Sequence, residues 1–206
     1  MSVRNVALVD YGSGNLRSVE KGLERAGAVV TRIDSPEHLQ TAEVLVVPGV
    51  GAFGDAAMNL KRAQLWDPIA DWLAGGKPYL GICLGYQLLF NNSEESPGVE
   101  GFGYISGSVR RFPQSGLKVP HMGWNSLSAL RGPLFENQHP DPSFYFVHSY
   151  YPCPDDPSWS SATCNYGISF PAAISRGNVH ATQFHPEKSQ EVGRKVLEAF
   201  LNSLDQ

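Results

Sequence analysis

Cysteine is scarce in this sequence: 3 among 206 residues, at positions 83, 153 and 164. An odd number without metal-ligand spacing excludes a disulfide framework and a metal cluster, and it suits free thiols in a reducing compartment. Basic residues are also few. Lys and Arg number 16 against 20 Asp and Glu, for a net charge of −4, and no basic run occurs. Nucleic acid is therefore excluded as a partner. No apolar run approaches the ~20 residues of a membrane span, so no membrane is involved. The strand pattern starts at Val6, which leaves no room for a leader of ~15–30 residues. No repeat, low-complexity tract or long linker divides the chain. What remains is the expectation of a cytoplasmic protein with a single domain over residues 1–206, holding no metal and no cofactor.

With 42% hydrophobic residues, a chain of this length can bury a full core. Its centre is Gly81-Ile82-Cys83-Leu84-Gly85-Tyr86-Gln87. Lys77-Pro78-Tyr79-Leu80 leads into an apolar run that reads as a short buried strand, and Leu84 to Phe90 reads as a helix with Leu88 and Leu89 inward. Cys83 stands at the corner with Gly81 and Gly85 two residues to either side. This is the G-x-nucleophile-x-G elbow with sulfur in place of oxygen. The corner residue is forced into a strained conformation, and its flanks must lack side chains so that strand and helix can close. At a helix N-terminus the unpaired N–H groups favour an anion, hence a thiolate. The same pattern fits a small buried core cysteine, so the rest of the chain must decide.

Val6 to Val9, a helix with Leu16, Val19, Leu23 and Ala26 on one face, and Val29 to Ile33 form a strand-helix-strand unit. Gly12 and Gly14 lack the third glycine and the acidic residue of a dinucleotide site. Val44-Leu45-Val46-Val47 is wholly apolar and reads as a central strand. It runs into Pro48-Gly49-Val50-Gly51, whose free N–H groups can face a ligand. An acyl-transfer site needs one N–H after the nucleophile and one from a neighbouring loop. Leu84 supplies the first, and Gly51 or its neighbour Val50 the second. Two helices follow, about 55–64 and 68–74, the second capped by Asp67. Gln87 lies on the same helix face as Cys83, and Asn91 to Gly98 reads as a polar loop.

From Gly101 the pattern changes to glycine-punctuated strands. Val119 to Asn125 reads as a loop carrying His121, Met122 and Trp124. Phe144 to Tyr151 reads as one strong strand, Pro152 to Ser160 as a surface loop. Further strands cover 161–166, 172–175 and 179–184, and a last helix turns Val192, Val196, Ala199 and Phe200 inward. The fold class expected is α/β: a mostly parallel central sheet flanked by helices, with an additional antiparallel strand region. For a base to serve Cys83, His185 has the best context. It ends an apolar strand, and Glu187 lies at i+2, on the same side of an extended chain. His148 is the rival base, with no acid at useful spacing. A solvated histidine beside a solvated glutamate fits the same residues.

Cys83 in G-I-C-L-G-Y-Q, the loop P-G-V-G and H-P-E near the C-terminus occur together and in order. On these motifs the chain resembles the class I, triad-type glutamine amidotransferases over essentially its whole length. Y-G-S-G-N-L at 11–16, P-G-V-G-A-F-G-D at 48–55, V-P-H-M-G-W-N at 119–125 and A-T-Q-F-H-P-E-K-S at 181–189 narrow the likeness. Within the family they resemble the glutaminase subunits of imidazole glycerol phosphate synthases, from histidine biosynthesis.

The resemblance implies a Cys83-His185-Glu187 triad that hydrolyses L-glutamine, with an oxyanion hole from Gly51 and Leu84 that forms when the glycine loop flips. It implies that Gln87, Glu95 and the backbone at Ser149 and Tyr150 hold the substrate's charged groups. It further implies a heterodimer with a (β/α)8-barrel cyclase subunit. That partner receives ammonia and converts a phosphoribulosyl formimino nucleotide (PRFAR) to imidazole glycerol phosphate and AICAR. Asn15, Trp124 and Lys188 would lie near the interface and Tyr145 near the ammonia route. Three rivals remain at this point. One is another hydrolase on a similar elbow, such as a cysteine peptidase-like relative, which leaves Gln87 and H-P-E unexplained. One is a non-catalytic binding module. The third is a pyridoxal-synthesis glutaminase, which V-P-H-M-G-W-N argues against.

Overall fold

The computed structural model describes residues 3–114 and 116–204. The first part of the chain lays down β1 (Asn5–Val9), α1 (Leu16–Arg25), β2 (Val29–Ile33), β3 (Val44–Val47), α2 (Phe53–Arg62), α3 (Trp66–Ala74) and β4 (Tyr79–Ile82). One helical turn, α4 (Leu84–Gln87), leads to β5 (Phe90–Ser93) and β6 (Ile105–Arg111). Next come β7 (His121–Ser128), β8 (Ser143–His148), β9 (Tyr150–Pro154), β10 (Ser160–Asn165), β11 (Ser169–Arg176) and β12 (Val179–Thr182). The last helix is α5 (Gln190–Ser203). Nine strands form one sheet in the order β2-β1-β3-β4-β12-β11-β10-β7-β8, and β5-β6-β9 form a second. Pairing is parallel from β2 across to β12 and antiparallel from β12 to β8. The expected α/β class holds, and most of the antiparallel region continues the main sheet instead of lying apart from it.

The central strands show why both faces are covered. Along β1, Val6 and Leu8 enter one hydrophobic cluster while Ala7 and Val9 enter another. In β3, Val44 and Val46 go to the first cluster and Leu45 and Val47 to the second. This period-2 alternation feeds two cores, one under α1 and α5, the other under α2 and α3. Each fully buried Val or Leu contributes roughly 1.5–3 kcal/mol. No helix among the described residues is long and apolar enough to cross a membrane.

Several elements differ from the sequence expectation. The helix after Cys83 stops at Gln87, and Phe90 begins a strand. The carbonyls of Leu88, Leu89 and Phe90 are taken by the N–H groups of Phe102, Ile105 and Gly103, so they cannot extend a helix. Residues 91–93 of the expected polar loop therefore lie in β5, which pairs parallel with β6. The expected loop at Val119 to Asn125 is largely β7, with His121 paired to His148 and Trp124 to Tyr145. Its exposed face carries Met122 and Trp124, and apolar side chains on the wet face hid the alternation. The single strand 144–151 breaks at Ser149 into β8 and β9, which belong to different sheets. Asp67 lies inside α3 instead of capping it. In α5, Leu197 and Leu201 are buried with Val196 and Phe200, while Val192 and Ala199 are half-buried.

Candidate active site

β4 and β12 are neighbours, parallel, and in register at Ile82 and Thr182. Their carboxyl ends therefore open on the same edge of the sheet, where open α/β sheets place ligands. Cys83 follows β4 directly, and Gln183 and His185 follow β12. This register brings together residues about a hundred positions apart.

Cys83 sits at φ 55° and ψ −101°, a strained conformation for a residue with a side chain. Its N–H donates to Thr182 O at 2.7 Å, and its carbonyl accepts from Tyr86 and Gln87 N–H at 3.1 and 3.2 Å. A side chain on Gly81 would meet Gly85 O at 2.7 Å, so the flanking glycines are a steric requirement.

His185 is 2% exposed. Its Nδ1 lies 2.8 Å from Glu187 Oε1, so the carboxylate accepts the Nδ1 proton and fixes the ring's orientation. That Nε2 is buried and makes no hydrogen bond. Burial alone would push the His185 imidazolium down. The negative charge of a Cys83 thiolate, and then Glu187, outweigh burial and hold it up at about 10. The route to Glu187 differs from the expected strand end: residues 186–188 form a 3-10 turn, and that turn carries the carboxylate back to the ring.

Cys83 borders a cavity of about 350 Å³ together with Gly51, Leu84, Gln87 and Glu95. Ser149, Tyr150, Tyr145 and Lys188 border it too. Asn15 and Trp124 do not. Asn15 caps α1 by accepting from Ser18 N–H, and Trp124 is half exposed on β7. Trp124 meets Tyr145 edge-on at 6.3 Å, and Lys188 Nζ lies 5.8 Å above the same ring. These three side chains connect the exposed strand to the cavity.

The donors near the sulfur are partly engaged. Leu84 N–H points to Gly49 O at 3.4 Å, a long bond. The Tyr11 hydroxyl donates to Pro48 O at 2.8 Å, and the Ser13 hydroxyl donates to Val50 O. A side chain on Gly49 would collide with the Tyr11 hydroxyl. Gly51, at φ 104°, is the flexible point of this loop. Glu95 Oε2 accepts from Phe53 N–H at 2.8 Å, at the start of α2. Burial pushes the Glu95 carboxyl up, and the Phe53 bond partly offsets it.

The glutamine amidotransferase class-I family model matches residues 7–204. The chain belongs to the class-I glutamine amidotransferase family. A Geobacter sulfurreducens protein named imidazole glycerol phosphate synthase subunit HisH is 50% identical over 204 residues, spanning 95% of this chain and 97% of its own. The chloroplastic imidazole glycerol phosphate synthase hisHF of Arabidopsis thaliana is 46% identical over 200 residues, 96% of this chain but 34% of that one. Among solved structures, a PurLQS chain from Thermotoga maritima superposes with a TM-score of 0.76 at 22% identity, covering 98% of this chain and all of that one. At that identity the likeness shows the fold alone.

Two features of this amidotransferase site were not read from the sequence. His148 is not poised as a base. Its Nδ1 lies 2.8 Å from Tyr150 O and its Nε2 3.1 Å from His121 Nδ1. A carbonyl only accepts, so His148 donates from Nδ1 and accepts at Nε2. Burial foremost pushes His148 down to about 3 and His121 to about 4, so both rings are neutral at physiological pH. The second is Gln183, wholly buried, whose Nε2 lies 3.5 Å from Cys83 Sγ. The signal for it was present: Gln183 precedes His185 by two residues at the same strand end.

Proposed function

We propose that the chain is the glutaminase subunit of an imidazole glycerol phosphate synthase. The observation that carries this reading is the buried His185, which is bonded through Nδ1 to Glu187 and follows β12 at the same sheet edge where Cys83 follows the neighbouring parallel strand β4. In this proposal Cys83 Sγ attacks the side-chain amide carbon of glutamine, and the C–N bond breaks. Ammonia leaves with a proton from His185 Nε2, and a glutamyl thioester remains. His185 then takes a proton from water, whose oxygen displaces the sulfur and releases glutamate. Glu187 keeps the ring in the required tautomer. A turn of the glycine loop that moves Gly49 O aside would free Leu84 N–H to join Gly51 or Val50 around the oxyanion. Glu95 suits the substrate ammonium. The N–H groups at Ser149 and Tyr150 suit its carboxylate, and the side-chain oxygen of Gln87, whose two amide protons go to Tyr150 O and Gln183 Oε1, suits the ammonium.

The chain works as one glutaminase domain and holds no acceptor for the ammonia. The acceptor belongs to a cyclase subunit, a (β/α)8 barrel, that turns PRFAR into imidazole glycerol phosphate and AICAR. Support comes from the relatives: the chain spans almost the whole Geobacter sulfurreducens subunit but a third of the Arabidopsis thaliana chain. The exposed Trp124, with Tyr145, Lys188 and Asn15, is the docking surface this reading favours. The free thiols of Cys83, Cys153 and Cys164 suit the cytoplasm.

The test is glutamate release from glutamine by the purified chain, alone and with the cyclase subunit, with and without PRFAR. Activity that rises on complex formation and disappears in Cys83→Ala is the expected result. Unchanged hydrolysis in Cys83→Ala would overturn the nucleophile, and failure to bind the cyclase would overturn the pathway.

A further inference from the structure

We propose that Gln183 is a positioning residue that fixes the nucleophilic sulfur and the glutamine-binding side chain of Gln87 at once. The inference rests on the glutaminase reading above and assigns a role to a side chain which that reading leaves idle.

The orientation of the two amides follows from their partners. Gln87 Nε2 lies 3.0 Å from Tyr150 O, and a carbonyl can only accept. Gln87 Nε2 is therefore the amide nitrogen, and it also lies 3.1 Å from Gln183 Oε1. The oxygen end of Gln183 must face Gln87, since two amide nitrogens cannot bond each other there. Its nitrogen end is then turned to Cys83 Sγ, at 3.5 Å. The side chain is rigid: Gln183 is fully buried, and its own N–H is fixed on Ala172 O at 2.8 Å.

This contact favours one state of the sulfur. An N–H donor stabilises a thiolate and offers little to a thiol. The acceptor available to an S–H is Val147 O, at 4.0 Å, a weak alternative. The sulfur carries charge twice in the proposed reaction: before attack on the amide carbon, and again as it leaves the thioester. A fixed donor helps at both points without reorganising. The other end acts on binding, because Gln87 keeps its place only while Gln183 Oε1 and Tyr150 O both accept from it. A buried amide with a purely structural task would bond the main chain. Both described bonds of this amide go to side chains of the site.

The experiment uses Gln183→Met, which keeps length and removes both ends, and Gln183→Glu, which keeps an acceptor toward Gln87 and removes the donor. The first readout is the rate of Cys83 alkylation by iodoacetamide against pH, followed by mass spectrometry of the Cys83 peptide. It needs no glutamine and no partner. In Gln183→Met the rate at pH 7 falls about 10-fold, and the difference narrows toward high pH, as a change in thiolate population and not in access requires. The second readout is glutamine hydrolysis in the complex with the cyclase. Gln183→Met lowers kcat by about 10- to 100-fold and raises KM, whereas Gln183→Glu lowers kcat with KM within about 3-fold of the parent. If Gln183→Met does not fold, Gln183→Leu, neutral and without donor or acceptor, takes its place on the alkylation profile. An alkylation profile matching the parent in a folded variant overturns the proposal and leaves Gln183 as packing. A displaced profile in the variant, beside a parent that hydrolyses no glutamine, keeps the role of Gln183 toward the sulfur and sinks the glutaminase reading.

Discussion

The carbonyl oxygen of Val47 occupies the space that a side chain on Gly85 would need. At Gly85 β3 and α4 approach main chain to main chain, and this closeness holds the corner that carries Cys83. Nothing nearby can yield, since the obstacle is backbone of a fully buried central strand. Gly85→Ala should therefore cost about 3 kcal/mol or more and lower Tm by many degrees in a thermal melt. A variant with parental Tm would show that the elbow has slack absent from this geometry.

How much of this was legible depends on where the determinants lie. The elbow was readable because strand, cysteine, glycines and helix start are consecutive residues. The nearness of Glu187 to His185 was readable too, although a 3-10 turn and not strand pleating brings it about. Gln183, His121 and His148 were harder. Their partners depend on β12 lying beside β4 and β7 beside β8, and no local pattern states which strand is whose neighbour. β7 itself was missed because Met122 and Trp124 face solvent. A surface that favours a partner looks, along one chain, like a broken alternation.

In the proposed mechanism Glu187 acts on the sulfur only through the ring. Its Oε1 holds His185 Nδ1 at 2.8 Å, and it is not among the residues that border the cavity. Glu187→Gln should then reduce kcat for glutamine hydrolysis by about 10²- to 10⁴-fold while KM stays within a few-fold. Steady-state kinetics of the complex with the cyclase decides. A loss confined to KM would place Glu187 in binding instead.

Glu95 makes the opposite prediction. It borders the cavity, and in the proposed reading it meets the ammonium of glutamine. Glu95→Gln should raise KM by about 10- to 100-fold and change kcat little. Burial holds this carboxyl above the usual range, so it loses its charge at a higher pH than an exposed glutamate. As pH falls, KM of the parent should rise early, and this acid limb should be missing in Glu95→Gln. A limb that persists in the variant would assign it to another group.

The neutral histidine pair makes the fold sensitive to acid. His121 and His148 titrate at about 4 and about 3 in the native protein, against 6.5 when unfolded, burial being the chief cause for both. Between those values the unfolded chain binds protons that the native chain refuses. Stability is then complete above about pH 6.5 and lost as pH falls toward 4 and 3. His180, depressed by burial to about 4, adds to the same slope. Thermal melts from pH 7.5 to 4.5 should show Tm dropping by several degrees per pH step in the parent. In His148→Gln, an amide that takes up protons in neither state, the drop should be shallower, because one of the three groups no longer titrates. Parallel curves would mean that His148 carries its charge in the native state after all, and the bond between His148 Nε2 and His121 Nδ1 would have to run from His148 to His121.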